Sequence, residues 1–184
     1  SDIAMAERYE IRFSGAGGQG LITAGIILAQ AATIIEGKSA VQSQSYGPEA
    51  RGGASKSEVI ISDKPIDYPK ATIVDACLAM TQESADKYAN GIKAGGVLLL
   101  DEDFIKSDPK GDFKIYKLPI MRIAAEEIGR AIVANVVALG AMVALTGVVA
   151  KESGLKAVLD KVPAAFKELN EKAYNTGFFS NDAC

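Results

Sequence analysis

Gln44, Ser45, Tyr46, Glu49 and Arg51 fall close together in the stretch VQSQSYGPEARGGAS at 41–55, among Gly47, Pro48, Gly52 and Gly53. A planar guanidinium such as that of Arg51 holds a carboxylate or a phosphate through two parallel hydrogen bonds. Pro48 fixes φ and lacks a donor, and the glycines admit backbone conformations that a Cβ resists, so neither a helix nor a central strand is expected here. Such a loop either brings bare amides close to a ligand or a partner chain, or is a surface crossover that only turns sharply. For Arg51 the alternatives to a ligand are an intrachain pair with Glu49 and an interface pair with another subunit. Tyr46 either stacks on a ligand or acts as a lid on the core.

A second glycine-rich motif lies upstream. Residues 9–14, YEIRFS, alternate as a strand and run into GAGGQG at 15–20, after which an apolar helical run spans 19–36. Gly15, Gly17 and Gly20 fit G-x-G-x-x-G, a slim turn whose free amides and helix dipole suit an anion. Gly18 and Gln19 add to it, with Gln19 expected to place a neutral donor and acceptor in the first helical turn. The bland alternative is that the glycines serve tight strand-to-helix packing. A dinucleotide fold needs an acid at the end of its second strand, and this chain offers Gln42, Ser43 and Gln44 there.

The remaining inventory argues against autonomous catalysis. The chain has no histidine, which removes the commonest metal ligand, the usual general base and every Ser-His or Cys-His arrangement. Cys77 and Cys184 stand far apart with no C-x-x-C, so no iron-sulfur cluster is expected on this chain. Cys77 sits in the apolar run TIVDACLAM and reads as a packing thiol. Glu49, Asp75 and Asp101 show no spacing that marks an acid and base couple. No catalytic residue and no metal ligand are assigned.

The two motifs together, GAGGQG at 15–20 and QSYGPEARGGASKSEVIIS at 44–62, resemble the gamma subunit of 2-oxoacid:ferredoxin oxidoreductases. The resemblance runs from about Arg8 to about Phe178. Pyruvate-type gamma subunits usually carry a Phe-rich approach and Arg-Arg-Gly-Ala in the corresponding loop, whereas this chain has Ser45-Tyr46 and Arg51-Gly52-Gly53, so the 2-oxoglutarate branch is favoured. The resemblance implies a heterotetrameric enzyme that decarboxylates a 2-oxoacid on thiamine diphosphate, passes electrons through iron-sulfur clusters to ferredoxin and delivers the acyl group to coenzyme A. Thiamine diphosphate is then expected on the alpha and beta subunits and the clusters on beta and delta. This chain would bind no cofactor alone, would pack against the catalytic pair and would help shape the coenzyme A approach. Gly15, Gly17, Gly18, Gln19, Gly20, Ser45, Tyr46, Gly47, Glu49, Arg51, Gly52 and Gly53 are the residues implied at that surface. Pyruvate, branched-chain and indolepyruvate enzymes carry related gamma domains. A free nucleotide-binding module and a purely structural assembly subunit are the readings of other classes.

Around these motifs the elements fall in an α/β order. With 184 residues and a net charge of −3, the chain suits a single domain over 1–184 and has no basic footprint for nucleic acid. Residues 1–7 show no signal peptide and are expected to lie outside the fold, as a disordered or cloning-derived leader, which points to a cytoplasmic protein. Residues 131–150 carry no charge, yet they are rich in Ala and Gly and lack aromatic belts, so a buried helix is expected and no membrane span. Gly140 and Gly147 share a face there, open to close approach by a helix of a partner subunit or of this chain's own core. Apolar partner-facing patches also suggest a homodimer in isolation.

Strands are expected near 9–14, 38–43, 56–62, 72–79, 96–101 and 113–118, and helices near 19–36, 82–92, 120–129, 131–149 and 153–174, the last broken by Pro163. Gly95-Gly96 is expected to turn the chain into the buried strand VLLL. Parallel pairing is predicted for the first, fourth and fifth strands, and an antiparallel course for KSEVIIS. The result is a three-layer αβα domain around a mostly parallel Rossmann-like sheet.

Overall fold

The computed structural model describes residues 8–45, 54–71 and 73–180. Tyr9–Gly15 forms β1, in which Ile11 and Phe13 enter the larger core while Arg12 and Ser14, on alternate positions, meet Glu58 and Cys77 on the other face. Ser39–Gln44 is β2, Ser55–Ser62 β3, Val74–Ala79 β4, Ile92–Asp101 β5 and Phe113–Leu118 β6. They build one sheet in the order β2-β3-β1-β4-β5-β6. The pairs β1–β4, β4–β5 and β5–β6 are parallel, and β3 runs antiparallel to both β1 and β2. The predicted parallel set and the antiparallel KSEVIIS strand are therefore both present.

The two faces of the sheet are covered unequally. Leu21–Gln30 is α1, prolonged by a π-helical turn at Ala31–Ile35, and its Leu21, Ala24, Ile27 and Leu28 pack on the first face. Ile120–Arg122 opens α3, prolonged as a π-helical stretch through Ile123–Ile128 and ended by Gly129 at φ 97°. Ala134–Thr146 is α4, Lys151–Lys161 α5 and Lys167–Phe179 α6. Residues of α3 to α6 join the same core as α1. The second face carries α2, Gln82–Tyr88, capped by Thr81 and Ser84 in a reciprocal capping box, over the smaller core of Cys77, Ala79, Leu98 and Leu100.

The apolar run at 131–150 divides into a 3₁₀ turn at Ala131–Val133 and α4, and among the described residues no helix is long and apolar enough to cross a membrane. Of the two readings of Gly140, the one within this chain holds. A Cβ at Gly140 would strike the Tyr174 carbonyl, and one at Gly177 the Val137 carbonyl, so α4 and α6 touch backbone to backbone. Gly147 does not share that contact. It caps α4 at φ 63°, where a glycine relieves the left-handed strain. Pro163 separates α5 from the 3₁₀ turn Ala164–Phe166 that leads into α6, as its missing donor requires.

The Gly95-Gly96 pair departs from expectation. Both lie inside β5, where Gly95 adopts φ 78° and its N–H donates to the Asp112 carbonyl at 2.6 Å. The register with β4 jumps between Val74 and Ala76, so the glycines form an irregularity within a strand that starts at Ile92.

Candidate site at the glycine loop

Gly15 ends β1 directly opposite Ser55, which begins β3. Ser45 follows β2, and its N–H donates to the Lys56 carbonyl at 3.1 Å. The antiparallel pairing of β3 with both neighbours thus places the 15–20 loop at the same end of the sheet as Ser45 and Ala54. Tyr46, Gly47, Glu49, Arg51, Gly52 and Gly53 themselves lie outside the described residues.

Within 15–20 the glycines do different work. Gly15 is buried, and a Cβ there would run into Gln19 and lie 2.9 Å from Leu21 Cδ1. Gly20 precedes α1 at φ 76°, and a Cβ on it would sit 2.6 Å from Asn135 Nδ2. That amide donates to the Gly20 carbonyl at 3.2 Å, tying the loop to α4. Gly17 and Gly18 are exposed, a Cβ on either would meet none of the described residues within 4 Å, and Gly18 has φ 85°. Packing therefore accounts for the outer two glycines, and none of the described residues covers the inner two.

Gln19 is placed differently from the expectation. α1 begins at Leu21, so Gln19 stands in the loop, and its side-chain oxygen accepts from the Ala16 N–H at 2.7 Å. It braces the loop from within because the chain turns through left-handed Gly18 and Gly20 before the helix starts. No side chain caps α1 and no acid occupies its first turn, so the first-turn amides and the positive end of the helix stay uncompensated by this helix's own residues.

Sequence reasoning passed over two groups. Arg12, buried in mid-strand, donates through Nε to Glu58 Oε2 at 2.8 Å, with a second nitrogen at 2.6 Å. Lys56 reaches the other oxygen of Glu58 at 3.2 Å, and the Tyr88 ring lies 5.3 Å from the Arg12 guanidinium. The period-two alternation of β1 and β3 was the available signal, since it places Arg12 and Glu58 on one face. The second group is a groove of about 720 Å³ beside the loop, floored by Thr23, Ile27 and Val136 and edged by Arg130, Ile132, Lys161 and Phe166. Its residues come from α1, α4, the last turn of α5, α6 and the turns before α4 and α6, so no local pattern announces it.

The remaining candidates are structural. Asp75 accepts from the Glu10 N–H at 2.8 Å and pairs with Lys93, at the opposite end of the strands. Asp101, fully buried at the end of β5, accepts from the N–H groups of Met121 and Asp103; burial raises its carboxyl despite those two bonds. Cys77 has no exposed surface, and burial pushes its thiol up to about 11. The dinucleotide pattern also departs at the level of topology, because the strand between β1 and β2 is the antiparallel β3. Gln42 Nε2, where a ribose acid was sought, donates to Ser57 at 3.2 Å.

The two glycine motifs on this α/β fold suggest an oxidoreductase subunit, and comparison with known proteins bears this out. The profile of the pyruvate ferredoxin/flavodoxin oxidoreductase family matches residues 10–179. A relative, 2-oxoglutarate synthase subunit KorC of Methanocaldococcus jannaschii, is 55% identical over 173 residues, covering 93% of this chain and 92% of its own. The crystal structure of the keto/oxoacid ferredoxin oxidoreductase gamma subunit from Geobacter sulfurreducens superposes with a TM-score of 0.88 at 60% identity, covering 96% of this chain and 99% of that one. The 2-oxoglutarate:ferredoxin oxidoreductase of Magnetococcus marinus, solved with 2-oxoglutarate, coenzyme A and succinyl-CoA bound, shares the fold at a TM-score of 0.82 and 23% identity, over 97% of this chain and 32% of that one. The chain belongs to the pyruvate ferredoxin/flavodoxin oxidoreductase family. Within it, the chain is a gamma-type subunit of a multisubunit 2-oxoacid:ferredoxin oxidoreductase.

Proposed function

We propose that this chain is the gamma subunit of a 2-oxoglutarate:ferredoxin oxidoreductase, and that its glycine-loop end faces the catalytic subunits and helps shape the coenzyme A approach. The observation that carries the substrate is the 55% identity to a 2-oxoglutarate synthase subunit over nearly the full length of both chains. In this reading the alpha and beta subunits hold thiamine diphosphate, beta and delta hold the iron-sulfur clusters, and ferredoxin takes the electrons, all in the cytoplasm. The chain contributes a surface, and is inactive and self-pairing when isolated.

The surface suits an anionic ligand. Among the described residues nothing covers Gly17 and Gly18 and no acidic or capping side chain stands at the α1 N-terminus, which supports room and positive potential for a phosphate of the kind coenzyme A carries. Gly15, Gln19 and Gly20 hold the loop in shape, while Ser45 anchors the start of the segment bearing Tyr46, Gly47, Glu49, Arg51, Gly52 and Gly53. Arg51 supplies the charge, to coenzyme A or to a partner carboxylate. Arg51→Ala in the reconstituted complex is expected to lower turnover or assembly and leave the melting temperature of the isolated chain unchanged. Wild-type activity in that complex removes Arg51 from the site.

A further inference from the structure

The groove beside α1 presents apolar side chains where a folded chain on its own has reason to hide them. Ile132 is 83% exposed and Phe166 42% exposed, each carried on a short 3₁₀ turn, Ala131–Val133 and Ala164–Phe166, that forms one lip. Between the lips run Ile27 and Val136, both buried, and the first turns of α1 and α4 place Thr23 and Asn135 at the end nearest the glycine loop. The lips point outward, which suits the side of another folded element better than an enclosed small molecule.

Charge says what kind of element. Arg8, Arg12 and Arg122 each hold a carboxylate of this chain. Arg130, exposed on the lip with Ile132, holds none among the described residues, and neither does Lys161 on the opposite side of the groove. This is so on a chain whose net charge is −3, where carboxylates outnumber cations. Arginine beside apolar anchors is the composition of an interface core whose counter-charge comes from the partner.

We infer that this groove docks an amphipathic segment of another subunit of the oxidoreductase, its apolar side seated between Ile132 and Phe166 and an Asp or Glu of the same segment paired with Arg130 and Lys161. The inference rests on the gamma-subunit reading and assigns that reading a second contact surface, formed by α1, α4, the end of α5, α6 and the turns before α4 and α6.

The test is a photo-crosslinking residue, p-benzoylphenylalanine, placed at position 132 of the chain co-expressed with its neighbouring oxidoreductase subunits, with the linked peptide identified by mass spectrometry. The expected result is a link to one partner subunit at a segment that holds an acidic residue within a turn of the linked site, with the link lost in the Arg130→Glu, Lys161→Glu double variant. Both substitutions lie on exposed side chains, so an unchanged melting temperature separates lost docking from lost folding. Subunits that copurify without any link from position 132, or a link only to a second copy of this chain, overturn the inference and leave the gamma-subunit reading standing. A link to a subunit that survives the double variant overturns the charge pairing that selects the partner. Failure of any subunit to copurify overturns both.

Discussion

Cys77 and the Arg12–Glu58 pair show how single residues on the second face of the sheet are held. Burial raises the Cys77 thiol to about 11, whereas an unfolded thiol titrates near about 8.5. The folded state therefore keeps a proton that the unfolded state loses, so this contribution to stability is complete below about 8.5 and disappears as pH rises towards 11. Urea midpoints should fall from pH 8.5 to 10.5, and Cys77→Ala should flatten that slope; an equal slope in the variant would show that the thiol is not the cause. In a Cys184→Ser background, Cys77 should resist iodoacetamide at pH 8 until the chain is unfolded. The Arg12–Glu58 pair makes the opposite kind of prediction. Removing one partner leaves the other charge buried, so Glu58→Ala should cost about 3–5 kcal/mol in urea unfolding, while exchange of both residues for apolar ones should cost far less.

At the scale of elements, the contact between α4 and α6 is set by glycines that admit no Cβ. Gly177→Ala must push α6 away from the Val137 carbonyl and should destabilise the chain by about 1–3 kcal/mol or more, seen as a lower thermal midpoint. Gly17→Ala, which meets none of the described residues, is the matched control and should leave the stability within about 0.5 kcal/mol. Equal effects in the two variants would refute the division of the glycines into packing and open positions. Much of this level was legible in the sequence. VLLL at 97–100 and the alternation of YEIRFS mark strands because apolar runs and period-two patterns arise from burial on two faces or on one. The antiparallel course of KSEVIIS followed from its long connecting loop and half-apolar face. What was not legible depended on tertiary neighbours. The Gly95-Gly96 irregularity needs the facing strand β4 to be recognised, Gln19 turns back on Ala16 only because two left-handed glycines delay the helix, and the groove joins residues from α1 to α6. The unequal cover of the sheet, with α2 alone among the described α-helices on the second face, is likewise a property of how the helices pack and not of any one of them.

For the whole molecule, the arrangement is that of a part. An end of the sheet gathers a slim glycine turn, an uncapped helix N-terminus, Ser45 and Ala54, and beside it lies a groove with exposed apolar lips and with cations that pair with no carboxylate among the described residues. Among the described residues here no side chains form an acid and base couple, and the chain carries no histidine to supply one. In the proposed reading, the family's chemistry comes from the subunits that this surface is proposed to face. The central claim is tested most directly by purifying the tagged chain from its own cells under native conditions and assaying coenzyme A-dependent reduction of a viologen dye with 2-oxoglutarate, pyruvate and branched-chain 2-oxoacids in turn. The predicted result is copurification of alpha, beta and delta subunits with activity highest on 2-oxoglutarate. Recovery of the chain alone and without activity, or of a complex that prefers another 2-oxoacid, would contradict it.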